Sequence, residues 1–308
     1  MTEALPIPPI DSLIGFTIPA RHARGRLVRL GPVLDKVLGA HGYPPAIEKV
    51  LAEALTLTAL LGSTLKHDDG QMTLQAQTEA GVIDLLVCDY RAGEVRGYLK
   101  FDAERLAEIP ADPTLFALFG KGYLAITFDQ ATRADGVGGE RYQGIVPLEG
   151  TSLSEAAESY FNQSEQLPSL VRIATAHGPE GCRAGGILIQ HLPEGEEGRE
   201  RLHVRLDHPE WEHVRALGET VAAAELTDPA LALDDLVWRL FHEEEEVRLL
   251  APVAIAKGCR CNAEHIAGVI GRFPAEERQA MADEDGFINV DCAFCARIFP
   301  MALEQLAG

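Results

Sequence analysis

Two hydrophobic periods alternate along this chain, and each change of period marks an element. Near the start, Phe16-Thr-Ile and Arg24-Gly-Arg-Leu-Val-Arg-Leu30 partly alternate polar with apolar residues. That is the period of strands with basic side chains toward solvent. Pro32 opens a helical segment over 33–38, and Pro44-Pro45 breaks the chain before a longer helix running to about Leu65. From Ala54 onward that helix is apolar nearly all round, so it is expected to be buried on several sides. Asp68-Asp69-Gly70 reads as a turn, and strands are expected over 72–77, 82–87, 95–101, 123–128 and 142–147. Ser152 or Thr151 caps a helix that begins at Leu153, with Glu155 in its first turn opposing the positive dipole end. Two more strands, 171–176 and 185–190, pair around the connection 178–183. Strands and helices mix without a regular strand–helix repeat, which argues for an α+β fold and against a doubly wound parallel sheet.

The pattern changes after Gln190. Residues 193–250 hold 16 acidic side chains against 6 arginines, yet the segment is not low in complexity. Residues 211–217 and 231–241 carry apolar side chains at helical spacing, including Leu233, Leu236, Val237, Leu240 and Phe241. The run Glu243-Glu-Glu-Glu246 reads as a solvated helix end. Amphipathic helices of this kind, lying between two folded units, can pack weakly and detach. Beyond them Asn262 caps a helix over 263–270, Pro274 starts a second that reaches about Met281, and Glu284-Asp-Gly286 turns into a strand over 287–290.

Length and charge narrow the function classes. A chain of 308 residues fits about two domains of roughly 100–200 residues each. A formal net charge of -20 repels nucleic-acid phosphates and anionic lipid. The start Met1-Thr-Glu-Ala-Leu-Pro lacks the pattern of a secretory signal. The most apolar stretch, 54–65, is shorter than the roughly 20 residues a membrane span needs. Six cysteines in such a chain point to reduced thiols in the cytosol, used for metal or redox chemistry.

Four of those cysteines carry the chemistry: Cys259-x-Cys261 and Cys292-x-x-Cys295, with 30 residues between the pairs. Four thiolates are a natural tetrahedral ligand set for zinc. Three roles compete: a permanent structural zinc knuckle, a dithiol oxidoreductase centred on Cys292 and Cys295, and a metal-gated redox switch. An oxidoreductase motif places its first cysteine at a helix N-terminus, whereas 296–299 reads as strand, so that role is disfavoured. A structural site and a switch both remain open. Residues two or three apart can bring their sulfurs together, so each pair can close as a local disulfide once a metal no longer protects it. The lobe has little core of its own beyond Phe294, Ile298, Phe299 and Met301, which are expected to cover the site. A structural zinc contributes about 10–16 kcal/mol to the folding of such a lobe. Cys88 and Cys182 lack local partners and read as buried thiols, and a complete thiolate set leaves no vacancy for His242 or His265. No phosphate loop, nucleophile elbow or H-E-x-x-H helix is present, so no enzymatic activity is expected. A constitutive nucleic-acid-binding zinc module fits poorly, because residues 252–308 hold 8 acidic against 5 basic side chains.

The cysteine spacing also resembles that of a known family. Together with Tyr142-Gln-Gly-Ile-Val-Pro-Leu-Glu-Gly150, Tyr160-Phe161 and Ser164-Glu-Gln-Leu-Pro168, it is similar to heat-shock protein 33, the bacterial redox-regulated chaperone. So are Arg24-Gly-Arg-Leu-Val-Arg-Leu30, Leu55-Thr-Leu-Thr-Ala-Leu-Leu-Gly62, Thr73-Leu-Gln-Ala-Gln77 and Trp238-Arg-Leu-Phe-His-Glu-Glu-Glu245. The resemblance runs from about residue 11 to 301. It implies an α+β fold with a three-layer β/α/β N-terminal domain around a buried central helix, a helical linker and a small C-terminal zinc-binding lobe. The corresponding segments here are a chaperone core at 1–190, an acidic helical linker at 191–250 and a redox-switch domain at 251–308. It further implies a cytoplasmic, ATP-independent holdase whose reduced, zinc-bound form rests. In such proteins the pair here at Cys292 and Cys295 forms a disulfide first and the pair at Cys259 and Cys261 follows. Zinc then leaves, lobe and linker unfold, and the protein forms a homodimer that binds unfolded or oxidised clients and passes them to ATP-dependent chaperones. Phe299 stands where a tyrosine is common in the family, and Asn262 where a serine often follows the second cysteine; neither removes a ligand.

Overall fold

Two six-stranded sheets face each other across one long helix. The computed structural model describes residues 10–65, 67, 69–79, 81–130, 139, 141–179, 181–192 and 208–306. Asp68 of the expected turn at 68–70 and the first part of the acidic linker, 193–207, lie outside the described residues. The chain opens with β1 (Ser12–Ile18), β2 (Ala23–Leu30), α1 (Pro32–Leu38) and α2 (Pro45–Gly62). Then come β3 (Gln71–Glu79), β4 (Ile83–Arg91), β5 (Glu94–Phe101), α3 (Ala103–Glu108), α4 (Leu115–Phe119), β6 (Lys121–Asp129) and β7 (Arg141–Pro147). α5 (Leu153–Tyr160), β8 (Ser169–Gly178) and β9 (Gly181–His191) complete the part before the linker. The linker supplies α6 (Pro209–Glu219), α7 (Ala223–Thr227) and α8 (Leu233–Phe241). Short edge strands β10 (Arg248–Leu249), β11 (Val253–Ala254) and β12 (Ala256–Lys257) lead to α9 (Ala263–Ile270), α10 (Ala275–Met281), β13 (Phe287–Asp291) and β14 (Ile298–Ala302).

The first sheet runs β10-β1-β2-β9-β8 with β11 also on β1; the second runs β12-β5-β4-β3-β6-β7. This is the expected α+β arrangement, with sheets on both sides of a buried helix. Every residue of α2 from Ala54 to Gly62 is buried, as its all-round apolar sequence requires. It ends at Gly62 rather than near Leu65. A Cβ there would lie 2.2 Å from the Tyr90 ring of β4, so only glycine allows this approach.

The sheets differ in how many faces they hide, and the sequence pattern follows. Strands β3 and β5 bury alternate residues, because the helix covers only one face of the second sheet. Strands β1 and β9 are buried almost continuously. Leu13, Val28, Leu30 and Leu188 point toward α2, while Ile14, Phe16, Ile18, Leu27, Ile187 and Ile189 point the other way into a second core. The linker helices supply the far wall of that core through Trp211, Val214, Leu226, Leu236, Val237 and Phe241. The expected amphipathic helices are therefore present, with their apolar faces laid on the first sheet.

Two polar clasps hold this cover. Arg29 on β2 is 4% exposed; its guanidinium donates to the carbonyls of Glu225 and Leu226 in α7 and of Leu231 just beyond it. Burial holds its pKa below the usual arginine value. Its cross-strand neighbour is Gly185, where a Cβ would lie 2.0 Å from the Leu226 carbonyl oxygen, so backbone packs directly on backbone. At the other end, Arg21 pairs with both Glu210 of α6 and Glu244, and His213 lies 2.6 Å from Glu244. The acidic run was expected to be solvated throughout, but the Glu244 side chain is only 2% exposed. Burial raises its pKa, and the bonds from Arg21 and His213 outweigh that and bring it below the ordinary value. A depressed carboxylate stabilises the fold above its unfolded pKa, and this hold is lost as pH falls through the folded value.

Leu55→Ala in α2 is expected to destabilise the two-sheet core by about 2–5 kcal/mol, read from urea unfolding followed by circular dichroism. Arg29→Ala leaves the carbonyls of Glu225, Leu226 and Leu231 without their donor. It is expected to raise binding of an apolar dye to the reduced protein while the sheet signal in circular dichroism stays intact; unchanged dye binding would show that Arg29 does not hold the cover.

Candidate metal centre

The C-terminal lobe is built so that two tight turns meet. Strand β12 delivers Cys259, and Asn262 follows Cys261 directly, its side chain accepting from the backbone N–H groups of Glu264 and His265 to start α9. Strands β13 and β14 form a hairpin in which Asp291 pairs with Ile298, so Cys292 and Cys295 sit at its tip. There the Cys292 N–H donates to the Arg297 carbonyl at 2.9 Å, and the N–H groups of Cys295 and Ala296 donate back to the Cys292 carbonyl. Ala296 takes the left-handed conformation (φ 54°), so the segment expected as strand from 296 turns first and extends only from Ile298.

All four sulfurs converge to within 4.8 Å of one another. Cys259 Sγ lies 3.3 Å from Cys261 Sγ and 3.6 Å from Cys292 Sγ, and Cys261 Sγ lies 3.6 Å from Cys295 Sγ. A tetrahedral zinc with bonds of about 2.3 Å separates its sulfurs by about 3.8 Å, so the cage has the right size and an all-sulfur donor set. Among the described residues, no other group of three or more His, Cys, Asp or Glu side chains converges in this way. Cys88 and Cys182 are buried elsewhere, and burial pushes the Cys182 thiol up to about 12.

The cluster polarises its own thiols. Burial raises the Cys259 pKa, but the Cys261 N–H and the neighbouring thiols donate to its sulfur and bring it down to about 7. Burial and the bond to Cys259 push Cys261 up to about 12, and Cys292 rises for the same two reasons with burial first. A divalent cation among the four sulfurs would favour the thiolate form of each ligand.

Of the side chains expected to cover the site, Phe299 and Met301 are buried with Ile288 and Leu306 in a small core that also touches Cys261 and Cys292. Ile298 is 62% exposed. Phe294 packs against Tyr98 and Arg96 of β5. That contact, and a second made by Arg260, escaped the sequence reading. The signal available was the character of the residues inside each pair: an arginine within C-x-C and an aromatic within C-x-x-C.

Cys292→Ser is expected to weaken zinc retention more than about tenfold in competition with a chromogenic chelator; wild-type retention would remove Cys292 from the ligand set. Stripping the metal at neutral pH is expected to abolish amide protection across α9, α10, β13 and β14 while β3 and β6 stay protected, because four buried side chains are a small core for the lobe. Hydrogen exchange measures both regions in one experiment.

Comparison with known proteins adds the relatives. A family model described as "Hsp33 protein" matches residues 11–301. The "33 kDa chaperonin" of Caulobacter vibrioides (strain NA1000 / CB15N) is 40% identical over 299 residues, covering 94% of each chain. That of Yersinia pestis (strain Pestoides F) is 37% identical over 277 residues, covering 90% of this chain and 87% of the relative. The crystal structure of the 33 kDa chaperonin (heat shock protein 33 homolog) from Thermotoga maritima superposes with a TM-score of 0.77 over 96% of both chains. At 22% identity that structure speaks for the fold alone.

Proposed function

The chain belongs to the Hsp33 family, and we propose that it is a cytoplasmic, ATP-independent holdase switched by the oxidation state of Cys259, Cys261, Cys292 and Cys295. The observation that carries this reading is the convergence of the four thiols, to within 4.8 Å, in a lobe joined by short edge strands to the helices that cover the first sheet. The units are the core at 1–190, the cover at 191–250 and the switch lobe at 251–308. Zinc held by the four thiolates would supply much of the lobe's folding free energy, of the order of 10–16 kcal/mol.

Peroxide accepts two electrons from each pair: two thiolates, two protons and one hydrogen peroxide give one disulfide and two waters. Cys292 and Cys295 react first, in the order the family resemblance implies, and Cys259 and Cys261 follow. The sulfurs are then no longer available as ligands, and the lobe is left with a core of Ile288, Phe299, Met301 and Leu306. β10, β11 and β12 are two residues each, so few hydrogen bonds restrain the segment between the lobe and α8. Release of α6, α7 and α8 bares Phe16, Ile18, Leu27, Ile187 and Ile189 of the first sheet. An apolar face of this kind binds unfolding proteins through the hydrophobic effect, which needs no sequence code. The opened form pairs as a homodimer and yields its clients to ATP-dependent chaperones. The charge of -20 keeps it soluble while that face is bare. A switch that rests with four reduced thiols belongs in a reducing compartment, and no helix among the described residues is long and apolar enough to cross a membrane.

The test is to treat zinc-loaded protein with peroxide at elevated temperature, following zinc release and the aggregation of an unfolding client. Zinc release together with suppressed aggregation is expected. Retained zinc with unchanged aggregation would contradict the switch.

A further inference from the structure

The second sheet's outer face carries a polar row that the redox chemistry does not use. Thr73, Asp89 and Arg96 are direct cross-strand neighbours on β3, β4 and β5. Asp89 is 3% exposed. Its Oδ1 accepts from Thr73 Oγ1 at 2.8 Å, and its Oδ2 accepts from Arg96 Nε at 2.7 Å. Both cysteine turns land on this row. Arg260, between Cys259 and Cys261, donates to Asp89 Oδ2 at 3.3 Å and to Gln71 Oε1 at 2.8 Å. Phe294, between Cys292 and Cys295, lies under the Arg96 guanidinium with 3.9 Å from Cζ to the ring centroid, and edge-on to Tyr98 at 4.9 Å.

We propose that Asp89 is the anchor that docks the cysteine lobe on the second sheet, gripping the C-x-C pair through Arg260 and the C-x-x-C pair through Arg96 and Phe294. The charges make it more than one contact among several. Arg96 and Arg260 repel each other, and each pairs with the same Asp89 carboxylate. Removing that one negative charge turns a mutual attraction to Asp89 into a repulsion between sheet and lobe, inside a site where water screens poorly. Arg96 also owes its orientation over Phe294 to its bond with Asp89, so the cation–π contact depends on the same carboxylate. Asp89 is thus a positioning residue. It touches no sulfur, and it holds both turns against a rigid surface so that the cage and the docking favour each other.

The consequence for the switch rests on the function proposed above: a docked lobe resists oxidation because its turns cannot rearrange to bring paired sulfurs to bonding distance. Heat, or loss of the anchor, removes that restraint. Asp89→Asn tests it, with Arg260→Gln and Phe294→Ala as variants that leave the sheet untouched if the first fails to fold. In reduced, zinc-loaded protein, the amides of Ala256 and Gly258, which donate to Gly93 and Val95 of the second sheet, are expected to exchange about tenfold faster or more in each variant, with zinc content unchanged. The double variant Asp89→Asn/Arg260→Gln is expected to show less than the sum of the two single effects, because both act on one contact. In a second arm, alkylation and mass spectrometry count free thiols after hydrogen peroxide at room temperature, where the variants are expected to oxidise faster than wild type. Wild-type exchange at Ala256 and Gly258 in the folded variants would overturn the anchor itself. Faster exchange without faster oxidation would overturn its role in setting the threshold. The exchange arm uses no oxidant, so its outcome stands apart from whether the protein is a redox switch at all.

Discussion

The first sheet has two apolar faces, and both must be covered. On one side the cover is α2, fixed within the core and buried along its whole second half. On the other it is a set of short helices rich in acidic side chains on their outer surface, held by Arg29 and by the Arg21–Glu210–Glu244 clasp. A sheet buried on both faces cannot leave one face bare in water without either aggregating or finding a substitute partner. That constraint makes the linker a candidate for regulation, because lifting it creates a binding surface without changing the sheet.

The lobe reaches the cover through the chain itself. Between Phe241 and Cys259 the backbone is stitched to β1 through Leu249 and Ala254, then to β5 through Ala256 and Lys257, with Ile255 buried in the main core between them. Each stitch is a pair of residues at a sheet edge, which opens at low cost compared with a central strand. The sulfur cage, the Asp89 contact and the edge strands thus follow one another along the chain toward the cover, which Arg29 and the Arg21–Glu210–Glu244 clasp hold on the first sheet.

Much of this was legible in the sequence, for physical reasons that differ by element. The all-round apolar run in α2 reads as a buried helix, and the i, i+3, i+4, i+7 spacing of Leu233, Leu236, Val237 and Leu240 as one face of a helix. The cysteine set converged as its spacing suggested, because the Asn262 cap and the 292–297 turn are local features. Strands β10, β11 and β12 escaped notice, since two-residue strands show no period and owe their existence to the edge they meet. Glu244 looked solvated within a run of four glutamates, and nothing local shows that Arg21, more than two hundred residues away, reaches it. Asp89 was likewise invisible as an anchor: its partner Arg260 comes from a different domain-sized stretch of chain. The unbroken apolar run Ile187-Leu188-Ile189 in β9 was the clearest missed hint, because consecutive apolar residues in a strand point to a cover on each face.

Trp211 offers the most direct reading of the central claim, that thiol oxidation uncovers the first sheet. It is 2% exposed, packed in the core between linker and sheet, whereas Trp238 is 66% exposed. In a Trp238→Phe background, emission then reports Trp211 alone. Followed during peroxide treatment at elevated temperature, together with a count of free thiols, that emission is predicted to shift to the red as the two disulfides form. Emission that stays blue after all four thiols have been oxidised would contradict the account.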